Sequence, residues 1–89
     1  MVNNRRSKIE IINDILKLSA NGAKKTELLY QGNFSFTQLQ SYLSYLIEKN
    51  ILEESEIQNN GGIIKYYKTT EKGLIFLEDV KKIITHLDL

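Results

Sequence analysis

The chain has 89 residues, enough for one small domain, and it contains no cysteine, so neither a disulfide frame nor a thiolate metal site can hold it together. Twelve basic residues against eleven acidic ones leave a net charge of +1, which argues against a protein that coats nucleic acid by charge alone. The opening residues, Met1 to Lys8, are polar and basic rather than a secretion signal, and no run is apolar for long enough to span a bilayer, so the expected location is cytoplasmic.

Ser7-Lys8-Ile9-Glu10 has the spacing of a capping box, in which the serine accepts from the amide three residues on and the glutamate reaches back. Ile9, Ile12, Ile15 and Leu16 follow at helical spacing, and Asn21-Gly22 supplies a left-handed stop. The first helix is expected from about Ser7 to Ala20. Ala23 to Thr26 is too short to assign. Glu27 to Tyr30 reads as a short second helix, ended by Gly32-Asn33, two residues that tolerate positive φ.

Ser35-Phe36-Thr37-Gln38 is a second capping box, and Phe34 with Leu39 can form its hydrophobic staple. Leu39, Tyr42, Leu43, Leu46 and Ile47 make one apolar stripe on this third helix; Thr37, Gln40, Ser41, Ser44 and Glu48 take the opposite face. Two β-like runs come next, Ile51 to Ile57 and Ile63 to Thr69, with Asn59-Asn60-Gly61-Gly62 as a hairpin tip. Thr70 can then cap a last helix, with Glu71 in its first turn. The order predicts a mostly α fold with a small β hairpin. It is a single winged helix-turn-helix domain over residues 1–89: helix, short helix, recognition helix, two-stranded wing, and a C-terminal helix over 70–88.

Three stretches carry a family likeness: Arg6-Ser7-Lys8-Ile9-Glu10-Ile11-Ile12 with Ile15-Leu16; Lys25-Thr26-Glu27-Leu28-Leu29-Tyr30 leading to Phe34-Ser35-Phe36-Thr37-Gln38-Leu39 and Tyr42-Leu43; and Tyr66-Tyr67-Lys68-Thr69-Thr70-Glu71-Lys72-Gly73. In these the chain resembles the small archaeal winged helix-turn-helix DNA-binding proteins, the family of the ArnR-type regulators and of a ten-kilodalton Sulfolobus DNA-binding protein. The resemblance implies a winged-helix fold, DNA binding, and pairing of two copies through the last helix. One departure matters: members commonly carry Lys or Arg on the exposed face of the third helix, where this chain has Thr, Gln and Ser, with Glu48 near its end.

The third helix is the expected reader, because an α-helix fits the major groove and its N-terminal half meets the bases. Ser35, Thr37, Gln38, Gln40, Ser41, Ser44 and Tyr45 are its candidate DNA contacts, against the alternative of a solvated face. For Gln38 the competing use is the capping box, and for Tyr45 it is packing at the rim of the core. Arg5, Arg6, Lys24 and Lys25, at the starts of the first two helices, are candidate phosphate clamps or plain surface charge. Asn59, Asn60 and Lys65 belong to the wing, where period two puts Lys65 with Tyr67 on one face and Tyr66 with Lys68 on the other.

Phe76, Leu77, Val80, Ile83, Ile84 and Leu87 form a wide apolar band on the last helix; one edge should cover the core and the other should pair with a second copy, joined by Ile11 and Leu18. His86 is the only histidine, so no metal or cofactor site and no catalytic triad is expected, and the chain does not read as an enzyme. The expected function is a dimeric regulator that reads double-stranded DNA. A protein-docking module, suggested by the neutral third helix and by Glu53, Glu54 and Glu56, is the alternative, as is a non-specific architectural DNA binder.

Overall fold

The computed structural model describes residues 7–87. In chain order the elements are α1 (Lys8–Leu18), β1 (Ala23–Lys24), α2 (Lys25–Gly32), α3 (Phe36–Glu48), β2 (Leu52–Asn59), β3 (Gly62–Thr69) and α4 (Glu71–Leu87). The capping box at α1 forms in full: Ser7 Oγ accepts from the Glu10 amide at 3.2 Å, and the Ser7 amide donates to Glu10 Oε1 at 2.9 Å. Ile11, Ile12, Ile15 and Leu16 are buried. Ile11 is therefore core, not part of an outer pairing surface, and Leu18 also packs against the core; Ile9, expected inside, is 49% exposed. The shift has a simple cause. α1 packs against both α2 and α4, so it buries a wider band than a single stripe.

Gly22, at φ +95°, turns the chain after α1. The segment left unassigned by sequence then becomes β1, where Ala23 and Lys24 pair with Tyr67 and Tyr66. The wing hairpin thus gains a third strand, in the order β1-β3-β2. Two residues have no room for a periodic signal, so only the tertiary pairing reveals this strand.

α2 is longer than its sequence signal. The Lys24 amide donates to Glu27 Oε1 at 2.8 Å, which satisfies one of the free donors at the helix start. At its end Asn33 takes the left-handed conformation, with φ 56° and ψ 47°. Gly32 has a different reason to be glycine. A Cβ there would overlap the Phe34 ring, which is buried in the core.

At α3 only half of the expected capping box forms: Ser35 Oγ accepts from the Gln38 amide at 3.1 Å. Leu39, Leu43 and Leu46 are fully buried, with Tyr42 and Ile47 at the core's edge. The helix closes in a Schellman motif. Asn50 is left-handed at φ 61°, its amide bonds the Ile47 carbonyl at 3.0 Å, and the Ile51 amide bonds the Leu46 carbonyl at 3.0 Å.

The sheet is tied to the helices by threonines. The Thr69 amide donates to the Ser19 carbonyl at 3.0 Å, and Thr69 Oγ1 to the Leu16 carbonyl at 2.8 Å. Thr70 Oγ1 accepts from the Gly73 amide at 3.1 Å and donates toward the Asn50 and Ile51 carbonyls, at 2.7 and 3.0 Å. Lys72 Nζ reaches the Lys49 carbonyl at 2.9 Å. The start of α4 is therefore bonded to the end of α3. No helix among the described residues is long and apolar enough to cross a membrane.

Candidate nucleic-acid interface

Packing decides which side of α3 is free. Leu39, Leu43 and Leu46 point inward, so Thr37, Gln40, Ser41 and Ser44 are left exposed on the other side. Together with Phe36 they line one shallow groove. Ser35 is engaged as the cap, and Gln38 is half-buried. Tyr45 is 49% exposed, with the Lys49 ammonium 5.8 Å from its ring centre. With Ser41 and Tyr42 it walls an open cleft of about 280 Å³, closed on the α1 side by Lys8 and Ile12.

Lys25, the first residue of α2, turns onto α3. Its ammonium sits 4.4 Å from the Phe36 ring centre and donates to Gln40 Oε1. Gln40 Nε2 in turn lies 3.5 Å from Ser44 Oγ. Lys24 is half-buried beside it. Arg5 and Arg6 lie outside the described residues.

Phe36 was missed by sequence reasoning. It is 61% exposed at the groove's end. Helical spacing places it on the stripe of Leu43, but two phenylalanines stand at this helix start and only Phe34 enters the core. That excess is the signal that could have found it.

The wing carries little free positive charge. Lys65 stands directly across the ladder from Glu56, and Lys68 from Glu53. Pairing across strands places Lys65 on the face of Tyr67 and Lys68 on the face of Tyr66, as the period requires. Tyr67 is buried, and its hydroxyl donates to Glu54 Oε2 at 2.8 Å. Burial, and then the Glu54 carboxylate, push its ionisation well above the ordinary tyrosine range. At the tip Asn59 Oδ1 accepts from the Gly61 amide at 2.9 Å, and Asn60 is exposed.

The apolar band of α4 is divided. Val80, expected among the pairing residues, is only 4% exposed within its own domain, and Phe76 and Leu77 pack against the core. Ile83 and Leu87 are 55% and 62% exposed, with Ile84 half-buried. Val80, Ile83 and Ile84 meet Ser7, Ile9 and Glu10 of the α1 start across a groove of about 510 Å³. The exposed apolar residues of α1 and α4 are thus Ile9, Leu74, Ile75, Ile83 and Leu87. His86 is exposed, and no group of three His, Cys, Asp or Glu among the described residues is placed to hold a metal.

No curated protein sequence matches the chain. Among solved structures it is similar to Sso10a-2, a DNA-binding protein from Sulfolobus solfataricus, at 25% identity and a TM-score of 0.78, over 93% of this chain and 83% of that one. It is also similar to a PadR-like transcription factor from Bacteroides fragilis, at 22% identity and a TM-score of 0.79, over 89% of this chain and 84% of the other. A PadR family transcription regulator from Clostridium difficile shares the fold at 21% identity and a TM-score of 0.70, over 88% and 90%. The winged helix-turn-helix sequence profile matches residues 5–87, nearly the whole chain, and so the chain belongs to the winged helix-turn-helix family.

Proposed function

We propose that this domain is a DNA-binding transcription regulator, acting in the cytoplasm, with α3 in the major groove of duplex DNA. The observation that carries the reading is the row Thr37, Gln40, Ser41 and Ser44. It is an uncharged, hydrogen-bonding strip exposed along one face of a helix whose other face is locked in the core. The similar Sulfolobus protein is described as DNA-binding, and the two similar bacterial proteins as transcription factor and transcription regulator, which supports it.

Arg5, Arg6, Lys8 and Lys24 supply phosphate contacts at the starts of α1 and α2, and Tyr45 lies along the backbone. Asn59 and Asn60 bring the wing tip to the phosphates through their amides, since Lys65 faces a glutamate. Two copies pair through Ile83, Leu87 and Ile9, exposed apolar residues of α4 and of the α1 start. Symmetric half-sites follow from that pairing.

Fluorescence anisotropy on a site taken from in-vitro selection, repeated over a salt series, tests the reading. Each phosphate contact adds about −0.9 to the slope of log K against log salt, so the four cations named above give about −4 for one copy and about −7 for a pair on one site. Absence of binding to any duplex at low salt overturns it. That result would favour a protein-docking module, the reading to which the wing points through Glu53, Glu54 and Glu56 and the half-exposed Ile57 and Ile63.

A further inference from the structure

We propose that Lys25, Gln40 and Ser44 form a donor-rich cluster that selects guanine in the major groove. The inference rests on the DNA-reading function above and names the base that one part of α3 reads.

An ammonium has no acceptor, so the side of the Gln40 amide that faces Lys25 is its oxygen. The amide is planar, so its nitrogen points the other way, to Ser44 Oγ at 3.5 Å. Ser44 accepts there and keeps its own proton to give. The bonds therefore run in one direction, from Lys25 to Gln40 to Ser44. The donors left free are the other ammonium hydrogens, the second amide hydrogen and the serine hydroxyl hydrogen, and they outnumber the single lone pair left on each of Gln40 Oε1 and Ser44 Oγ.

Lys25 is also held by the Phe36 ring. Both of its anchors lie on α3, which places the charge on the flank of the reading helix and not at the free end of α2. Gln40 and Ser44 are exposed in the same groove.

A free glutamine favours adenine, because it can donate to N7 and accept from the N6 amine at once. The Lys25 ammonium on that oxygen competes with the N6 amine for it and sets a positive charge against the amine's hydrogens, which disfavours that pattern. Adenine and cytosine would each bring a donor against a group of donors. Guanine offers two acceptors, O6 and N7, and a charged donor strengthens the bonds it makes to them.

The test is selection from a randomised duplex library with the wild type, Gln40→Ala and Lys25→Met, the last keeping the chain length but removing the ammonium. The base position that Gln40→Ala relaxes is the one read by the cluster. Wild type is expected to take guanine there, and Lys25→Met to admit adenine, with flanking positions unchanged. Replacing that guanine with 7-deazaguanine, which lacks the N7 acceptor, is expected to weaken wild-type binding about tenfold and Lys25→Met binding much less. The wild-type arm of this comparison changes only the DNA and leaves the protein as it is.

A wild-type preference for adenine at that position, or a guanine preference that survives Lys25→Met undiminished, overturns the proposal while leaving DNA binding intact. Failure of the wild type to enrich any duplex overturns the DNA-reading function, and this inference with it.

Discussion

Gly73 offers a case in which two physical effects predict opposite signs. It lies in the first turn of α4, where helix propensity alone favours Ala over Gly by about 1 kcal/mol. The structure argues the reverse. A Cβ at Gly73 would overlap the Ile51 carbonyl oxygen, and would stand 2.6 Å from Thr69 Cγ2 and 3.2 Å from Ile51 Cγ2. The first obstacle is backbone, so it cannot rotate away. The start of α4 must lift, and the bonds of Thr70 to the Asn50 and Ile51 carbonyls lengthen with it.

Overpacking of this kind costs about 1–3 kcal/mol and a weakened cap about 1 kcal/mol. Set against the propensity gain, Gly73→Ala should destabilise the domain by about 1–3 kcal/mol. For a domain of this size that lowers the melting midpoint by roughly 5–20 °C. Thermal melts by circular dichroism at one fixed protein concentration measure it, since assembly also shifts the midpoint. A midpoint unchanged or raised would refute the close seating of α4 on the β2 and β3 ends.

Other outcomes follow from single contacts. Ser19 Oγ is buried without a partner, so Ser19→Ala should raise stability by about 1 kcal/mol, read as a higher urea midpoint with an unchanged slope. Tyr67 ionises above its ordinary range, so its contribution is complete below about pH 10, the unfolded value, and is lost as pH rises beyond it. Tyr67→Phe should flatten the alkaline loss of stability and remove the latest-rising phenolate absorbance; an unchanged titration curve would contradict this. Ile83→Glu should leave the far-ultraviolet spectrum intact and lower the mass seen by sedimentation from two copies to one. A mass independent of this change would remove α4 from the proposed pairing.

Where the sequence signal is local, the fold was readable from it. Ser7 and Glu10 are three residues apart and cap each other, and the Leu39-Leu43-Leu46 repeat is visible as periodicity because one face of α3 is uniformly covered. β1 was unreadable because its partner, β3, is over forty residues away and only two residues pair. Gly32 was assigned to a backbone need when its cause is the Phe34 ring, a contact that spacing cannot reveal. Likewise, the apolar band of α4 could not be divided by sequence between core and surface, since its width says nothing of where α1 lies. The candidate site was legible as a row of residue types on α3. Its organisation was not: Lys25 looked like a phosphate clamp until the second helix was set beside the third.

The bonds from Thr70 and Lys72 to the carbonyls at the end of α3 have a mechanical consequence. They make a stiff corner between the helix proposed to read DNA and the helix proposed to join two copies. A stiff corner passes an angle on, where a hinge would absorb it. In the assembled pair, the distance between the two copies of α3 would then be set at Lys49 to Gly73, by residues that touch neither the bases nor the partner. Loosening that corner should blur the spacing between half-sites before it alters the bases chosen within either one.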